Sequence, residues 1–490
     1  MTHELSRRHH DPRRLIRGFS AAVAIINTLL LVPAALRLFT GFEIIPGALH
    51  RHFDLLEEGN LVTAYSSLLL VLTFCAAVAN FCCETPRDQS YPFRFVWLGV
   101  AFVALYLSLD EVAQIHESLQ VEFHRWLQGR GAWGDWIGRY GRAWIILYLP
   151  AVLAVLWIFL SRSSRIFPKT GVTRRLGLGG VGLWTCSLVL DFFYTDIARS
   201  WGIWAFHLEV LVEEGFEIFG TTSLLLAIVW SGWPRWDRIR IGPGFIRWLA
   251  AIVFGINSVM LAPAVLRLFS AEPITGDEAV LSYLESEGNL FVWYASLLLA
   301  LMAIAVVANV LLRRNSAADR STLPLYVWGG FGLAALCLSI DEVAQFHELI
   351  AQTISIWLKD GGKVAEWVRA PGRNWIVLFS PVIAVVVIGF IGVMLRDFRR
   401  DPRLLGLTLS GIGLWTWVLV LEFFIADIAQ TLGPEGYYLE TILEEGSEIF
   451  GSACLLIAFV SQGAKQLQAQ PVAELKPASN RGNTDTRFCS

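Results

Sequence analysis

Ser108 to Glu117 reads SLDEVAQIHE, and Ser339 to Glu348 reads SIDEVAQFHE, 231 residues further on. Each stretch places three carboxylates and one imidazole at the end of an apolar segment: Asp110, Glu111, Glu117 and His116, then Asp341, Glu342, Glu348 and His347. Carboxylates in that setting hold protons or hard cations such as Ca²⁺, Mg²⁺ or Mn²⁺, and a single imidazole tilts the choice toward Mn, Zn or Fe. The correspondence extends further. GLWTCSLVLDFFYTDIA (Gly182 to Ala198) pairs with GLWTWVLVLEFFIADIA (Gly413 to Ala429), and VEEGFEIFG (Val212 to Gly220) with LEEGSEIFG (Leu443 to Gly451). The chain reads as a tandem duplication, with the same acids carried on apolar segments in both copies.

These acids must be positioned by helices in a bilayer. A 55% hydrophobic composition, 20 Trp and 31 Phe and a mean hydropathy of +0.54 are membrane values, and apolar runs of about 20 residues recur along the chain. The expectation is an all-α, polytopic membrane protein of about 12 transmembrane helices, arranged as two parallel six-helix repeats. The divisions are a basic N-terminus (1–16), a first repeat (17–232), a basic linker (233–245), a second repeat (246–461) and a disordered tail (462–490). The first apolar run continues without a small-residue cleavage site, so it reads as a retained span. An even number of spans per copy inserts both copies the same way round.

Charge predicts the orientation. Most of the 39 Lys and Arg residues fall on the N-terminus, the linker-side connections and the tail, which the positive-inside bias makes cytoplasmic. Most of the 42 Asp and Glu residues fall at the opposite face. An integral, multi-pass protein of a bacterial inner (plasma) membrane with both termini cytoplasmic is expected. The seven cysteines lie in helices, at inner ends or in the tail, so no outer disulfide framework can form. No Gly-rich phosphate loop and no nucleic-acid motif is present. The partners implied are the lipid bilayer and a small cation or proton. After the third span of each copy, Trp126, Trp136, Trp357 and Trp367 mark short amphipathic segments suited to the interface.

Depth gives the acids their interest. Asp110 lies 16 residues after Arg94, and Asp191 16 after Arg175, which at about 1.5 Å per residue is about 24 Å into a core about 30 Å thick. A carboxylate there costs roughly 2.5 to 3.5 kcal/mol, so it faces a partner or a wet cavity. Recurrent positive partners are scarce: Arg37, Arg142 and His116 in the first copy, Arg267, Arg373 and His347 in the second. The remaining acids must be protonated, hydrated or bound to a cation.

At 100° per residue, a third helix running straight through Glu117 puts Asp110, Gln114 and Glu117 on one face and His116 about 120° away from Asp110. Glu209, Glu213 and Glu217 share a stripe on the sixth helix, with Glu214 beside it. The candidate shell for a possible divalent cation is Glu58, Asn60, Asp110, Glu117, Asp191, Glu213 and Glu217, with Glu111, His116 and Asp196 as further recurrent groups. Its second-copy equivalent is Glu287, Asn289, Asp341, Glu348, Glu422, Glu444 and Glu448, with Glu342, His347 and Asp427. No H-E-x-x-H motif and no nucleophile–base pair is recognisable. Gly220 and Gly451 suit close helix packing. Three function classes follow: a cation-coupled transporter, an intramembrane metal-dependent enzyme on a lipid-type substrate, and a structural or partner-binding membrane protein whose acids cap helices.

Overall fold

The computed structural model describes residues 12–40, 53, 55, 59–84, 94–138, 142–166, 171–239, 241–269, 284, 288–314, 323–359, 362–370 and 372–469. Among them every long element is helical. The first half comprises α1 (Pro12–Thr40), α2 (Leu61–Cys83), α3 (Arg94–Ala113), α4 (Ile115–Leu127), α5 (Gly131–Ile137), α6 (Arg142–Ile166) and α7 (Gly171–Gly232). The second half repeats the order with α8 (Pro243–Leu268), α9 (Leu290–Arg314), α10 (Leu323–Ala344), α11 (Phe346–Trp357), α12 (Gly362–Val368), α13 (Arg373–Phe398) and α14 (Pro402–Ala469). A 3₁₀ turn, Trp233–Arg238, joins them. Ten helices among the described residues are long and apolar enough to cross a membrane. Apolar side chains such as Phe102, Trp157 and Val385 point outward, as lipid-facing positions do.

Two of these helices are folded hairpins. A straight helix of 62 residues would be about 93 Å long, three times the apolar thickness of a bilayer. Gly202, at φ 81°, breaks α7, and Gly433, at φ 67°, breaks α14. Glycine occupies this left-handed region without the steric cost of a Cβ. The arms then pack back on each other, since a Cβ built on Gly180 would lie 2.7 Å from Gly220 O and one on Gly411 2.9 Å from Gly451 O. Trp184 Nε1 donates to Thr221 Oγ1 at 3.0 Å and Trp415 Nε1 to Ser452 Oγ at 3.2 Å across the same seams. The close approach expected of Gly220 and Gly451 is present in both halves.

The core of each half forms around the most buried helix. Helix α2 packs on α3 and α7, and α9 on α10 and α14. The halves meet where α2 and α3 contact α9 and α10, and Ala64 and Val112 join the apolar cluster built by Trp293, Tyr294 and their neighbours. Trp293 Nε1 crosses this seam to donate to the fully buried Ser108 Oγ at 3.1 Å.

Candidate functional site

The site begins where α3 stops. Gln114 has φ 49° and ψ 40°, and Gln345 has φ 50° and ψ 42°, the only non-glycine residues with positive φ among those described. Gln114 N still donates to Asp110 O at 2.9 Å, and a new helix starts with Ser118 N donating to Gln114 O at 3.1 Å. Between them, His116 N donates to Asp110 Oδ1 at 2.8 Å, and His116 Nδ1 lies 3.0 Å from Asp110 Oδ2. One aspartate thus supplies both the acceptor for an orphaned helix N–H and the partner of an imidazole. The second half repeats the geometry: His347 N donates to Asp341 Oδ1 at 3.0 Å, with Nδ1 2.8 Å from Oδ2.

This corrects the angular reading of the third helix. A straight helix directs His116 about 120° away from Asp110; the break at Gln114 brings the two together and moves Glu117 onto a separate helix, α4.

Helices α6 and α7 bring the next layer. Trp144 Nε1 donates to Asp191 Oδ2 at 2.8 Å, and its ring lies 5.0 Å from the His116 ring. In the second half Trp375 Nε1 donates to Glu422 Oε1 at 2.6 Å, with its ring 5.6 Å from His347. The indole therefore holds one carboxylate and flanks the imidazole that another carboxylate holds. Glu217 accepts from Ser187 Oγ at 2.8 Å and lies within electrostatic reach of Asp191, His116 and Asp110. Glu448 is likewise within reach of Glu422, His347 and Asp341.

The remaining candidates within the described residues fall into three groups. Glu213 interacts with Glu209, Glu214, Glu217 and Asp191, Glu117 with Asp191, Glu444 with Glu422 and Glu448, Glu348 with His347 and Glu422, and Glu342 with Glu448 and Asp341. These extend the acidic site, and Glu111 stands on the same final turn of α3. Asp196 and Asp427 instead serve ion pairs: buried Arg142 and Arg373 bind them, donate through Nε to Phe192 O and Phe423 O, and stack over Trp136 and Trp367. That clamp ties the short helices α5 and α12 to the bundle. Asn60 and Asn289 cap α2 and α9, each side-chain oxygen accepting two backbone N–H groups, so their oxygens are engaged in architecture. Glu58 and Glu287 lie outside the described residues.

Among the described residues, no three His, Cys, Asp or Glu side chains are gathered tightly enough to form a metal-binding set. The arrangement is a hydrogen-bonded aspartate–histidine pair packed against an indole that holds a second carboxylate, with further acids around it; the carboxylates and the imidazole can accept, store and pass protons or attract a small cation by charge.

Sequence reasoning missed Trp144 and Trp375. The signal that marks them is the recurrence of Arg142-Ala143-Trp144 as Arg373-Asn374-Trp375. It also missed Tyr106, whose hydroxyl is hydrogen-bonded to that of Tyr148.

Fold and site together define an all-helical protein with many apolar helices compatible with a polytopic membrane protein, carrying paired acidic sites. The chain belongs to the family described as Domain of unknown function (DUF8692), whose family model matches residues 20–231 and again residues 247–462. No curated protein and no solved structure matches the chain.

Proposed function

We propose that this is an integral membrane protein that binds protons or a small cation at an acidic site in each half and couples that binding to transport. Twelve crossings follow if each folded helix spans twice. The positive-inside bias puts both termini in the cytoplasm and both acidic sites toward the outer face. The observation that carries the reading is the recurrent Asp–His pair beside an indole-held carboxylate, Asp110–His116 with Asp191 and Asp341–His347 with Glu422. Ionisable groups facing one another in an apolar bundle are the usual chemistry of proton and ion pathways. A structural reading fits Asp196 and Asp427, whose arginine clamps account for them.

Ligand linkage tests this reading. Whatever binds the folded protein alone raises its unfolding temperature. Purified protein is to be unfolded at several pH values and with Na⁺, Ca²⁺, Mg²⁺ or Mn²⁺. A proton site gives a pH-dependent midpoint insensitive to the ions, and a cation site gives a midpoint raised by one of them. Asp110→Asn and Glu217→Gln lower whichever response is found. A midpoint that no pH or ion moves would rule the binding site out.

A further inference from the structure

The two halves differ at one level of the site. On α3, Tyr106 lies one turn deeper than Asp110; on α6, Tyr148 lies one turn deeper than Trp144; on α7, Ser187 lies one turn deeper than Asp191. Tyr106 and Tyr148 are hydrogen-bonded to each other, the Tyr148 ring lies 6.0 Å from that of Trp144, and Ser187 holds Glu217. Three separate helices thus each place a hydroxyl below the acids of the first half. The corresponding residues in the second half are Cys337, Phe379 and Val418, and none carries a hydroxyl. A hydroxyl both donates and accepts, so it can continue a proton path, whereas phenyl and isopropyl groups cannot and the Cys337 thiol bonds only weakly.

A second observation separates the acids from a mere helix-capping cluster, and it is common to the halves, since Glu440, the counterpart of Glu209, is 2% exposed; the hydroxyl layer alone distinguishes them. Glu209 is only 4% exposed, and neither of its carboxylate oxygens has a hydrogen-bond partner among the described residues. It lies within electrostatic reach of Asp191 and Glu213. A buried carboxylate without donors is poised to take a proton. The groups facing it and Asp110 are Tyr106 of α3, His116 of α4, and Asp191, Tyr194, Glu213 and Glu217 of α7, with Glu117 of α4 beside Asp191, while Arg142 of α6 is committed to Asp196.

Resting on the function proposed above, we infer that fast proton exchange is confined to the first half, through the hydroxyl layer of Tyr106, Tyr148 and Ser187, and that the second half's site exchanges its proton slowly. A carboxylate takes a proton arriving from the outer face and returns it by the same route or through the hydroxyl layer, where each hydroxyl that accepts a proton gives up its own to the next acceptor, so that every O–H bond formed is matched by one broken.

Proton uptake after a downward pH jump, followed with a soluble indicator dye on protein in lipid nanodiscs, tests the inference. The triple variant Tyr106→Cys, Tyr148→Phe, Ser187→Val gives the first half the layer with which the second already folds. It is expected to slow the fast phase by about tenfold or more. The reciprocal variant Cys337→Tyr, Phe379→Tyr, Val418→Ser is expected to add fast protons. Tyr148→Phe alone, which removes one hydroxyl and no ring, keeps the test open should a triple variant misfold, and is expected to slow the fast phase as well. If Asp110→Asn abolishes the fast phase but none of the hydroxyl variants alters it, the inference is overturned and the proton-binding reading stands. If Asp110→Asn also leaves uptake untouched, both fall.

Discussion

Asp110 grips His116 twice, accepting its backbone N–H at 2.8 Å through Oδ1 and facing its Nδ1 at 3.0 Å through Oδ2. The same double grip joins Asp341 to His347. A carboxylate that caps a helix and orients an imidazole fixes both groups with one side chain, and the cost is borne by the backbone at the intervening glutamine.

Gln114 and Gln345 sit in the left-handed region at φ 49° and 50°, where a side chain costs about 1 kcal/mol or more relative to glycine. Gln114→Gly and Gln345→Gly are each expected to raise thermal stability, whereas a β-branched residue at either position lowers it. Thermal unfolding in detergent reads both; a glycine variant that melts below the parent would show that the glutamine side chain contributes more than the strain removes.

Stability is expected to depend on pH through His347. Burial opposes its charge, but the hydrogen bond that its Nδ1–H donates to Asp341 and the nearby carboxylates of Asp341, Glu422 and Glu348 outweigh burial and push its pKa up to about 9. Because that value exceeds the free imidazole's roughly 6.5, protonation favours the folded state. The contribution is complete below the free value and disappears as pH rises through about 9. Melting curves across that window should decline for the parent and flatten for His347→Gln. Parallel curves would contradict the assignment.

The arginine clamps offer an asymmetric test. Arg142 is buried, whereas its partner Asp196 is part-exposed. Asp196→Ala strands a buried cation and is expected to cost about 3 kcal/mol or more. Asp427→Ala does the same to Arg373. Adding Arg142→Met to Asp196→Ala should restore part of the loss. A double variant no more stable than Asp196→Ala alone would show that the stranded charge is not the cause.

Close packing inside the hairpins makes glycines unequal. A Cβ on Gly180 would meet Gly220 O at 2.7 Å, while one on Gly179 meets nothing within 4 Å. Gly180→Ala should therefore force the arms of α7 apart and lower the melting temperature, and Gly179→Ala should be harmless, alanine being the better helix former. Equal effects would contradict the hairpin packing.

Much of this was legible in the sequence, for identifiable reasons. Apolar runs of about 20 residues gave the helices, and the recurrence of Asp110 and His116 at Asp341 and His347 marked the site. The break at Gln114 was not legible, because glutamine is an ordinary helix former and neither glycine nor proline signals the turn; the competing acceptor is a side chain four residues back. The folding of α7 at Gly202 was anticipated only as a gap between two apolar segments. Asn60 and Asn289 looked like ligands because a cap and a ligand use the same amide oxygen. The hydroxyl layer shows only when the two halves are aligned one helical turn below the acids, because Tyr and Ser in an apolar helix carry no charge to mark them.

The central claim is that the acidic sites move charge. Its most direct measurement is internal pH in liposomes containing the purified protein and a trapped pH indicator, after a potassium diffusion potential is imposed. Acidification faster than in protein-free liposomes is expected, protons being driven inward by a negative interior, and Asp110→Asn is expected to abolish it. If Na⁺ is the coupled ion instead, ²²Na⁺ uptake responds to the same variant. Proteoliposomes indistinguishable from empty ones in both readouts, with protein that is folded and unidirectionally inserted, would contradict it.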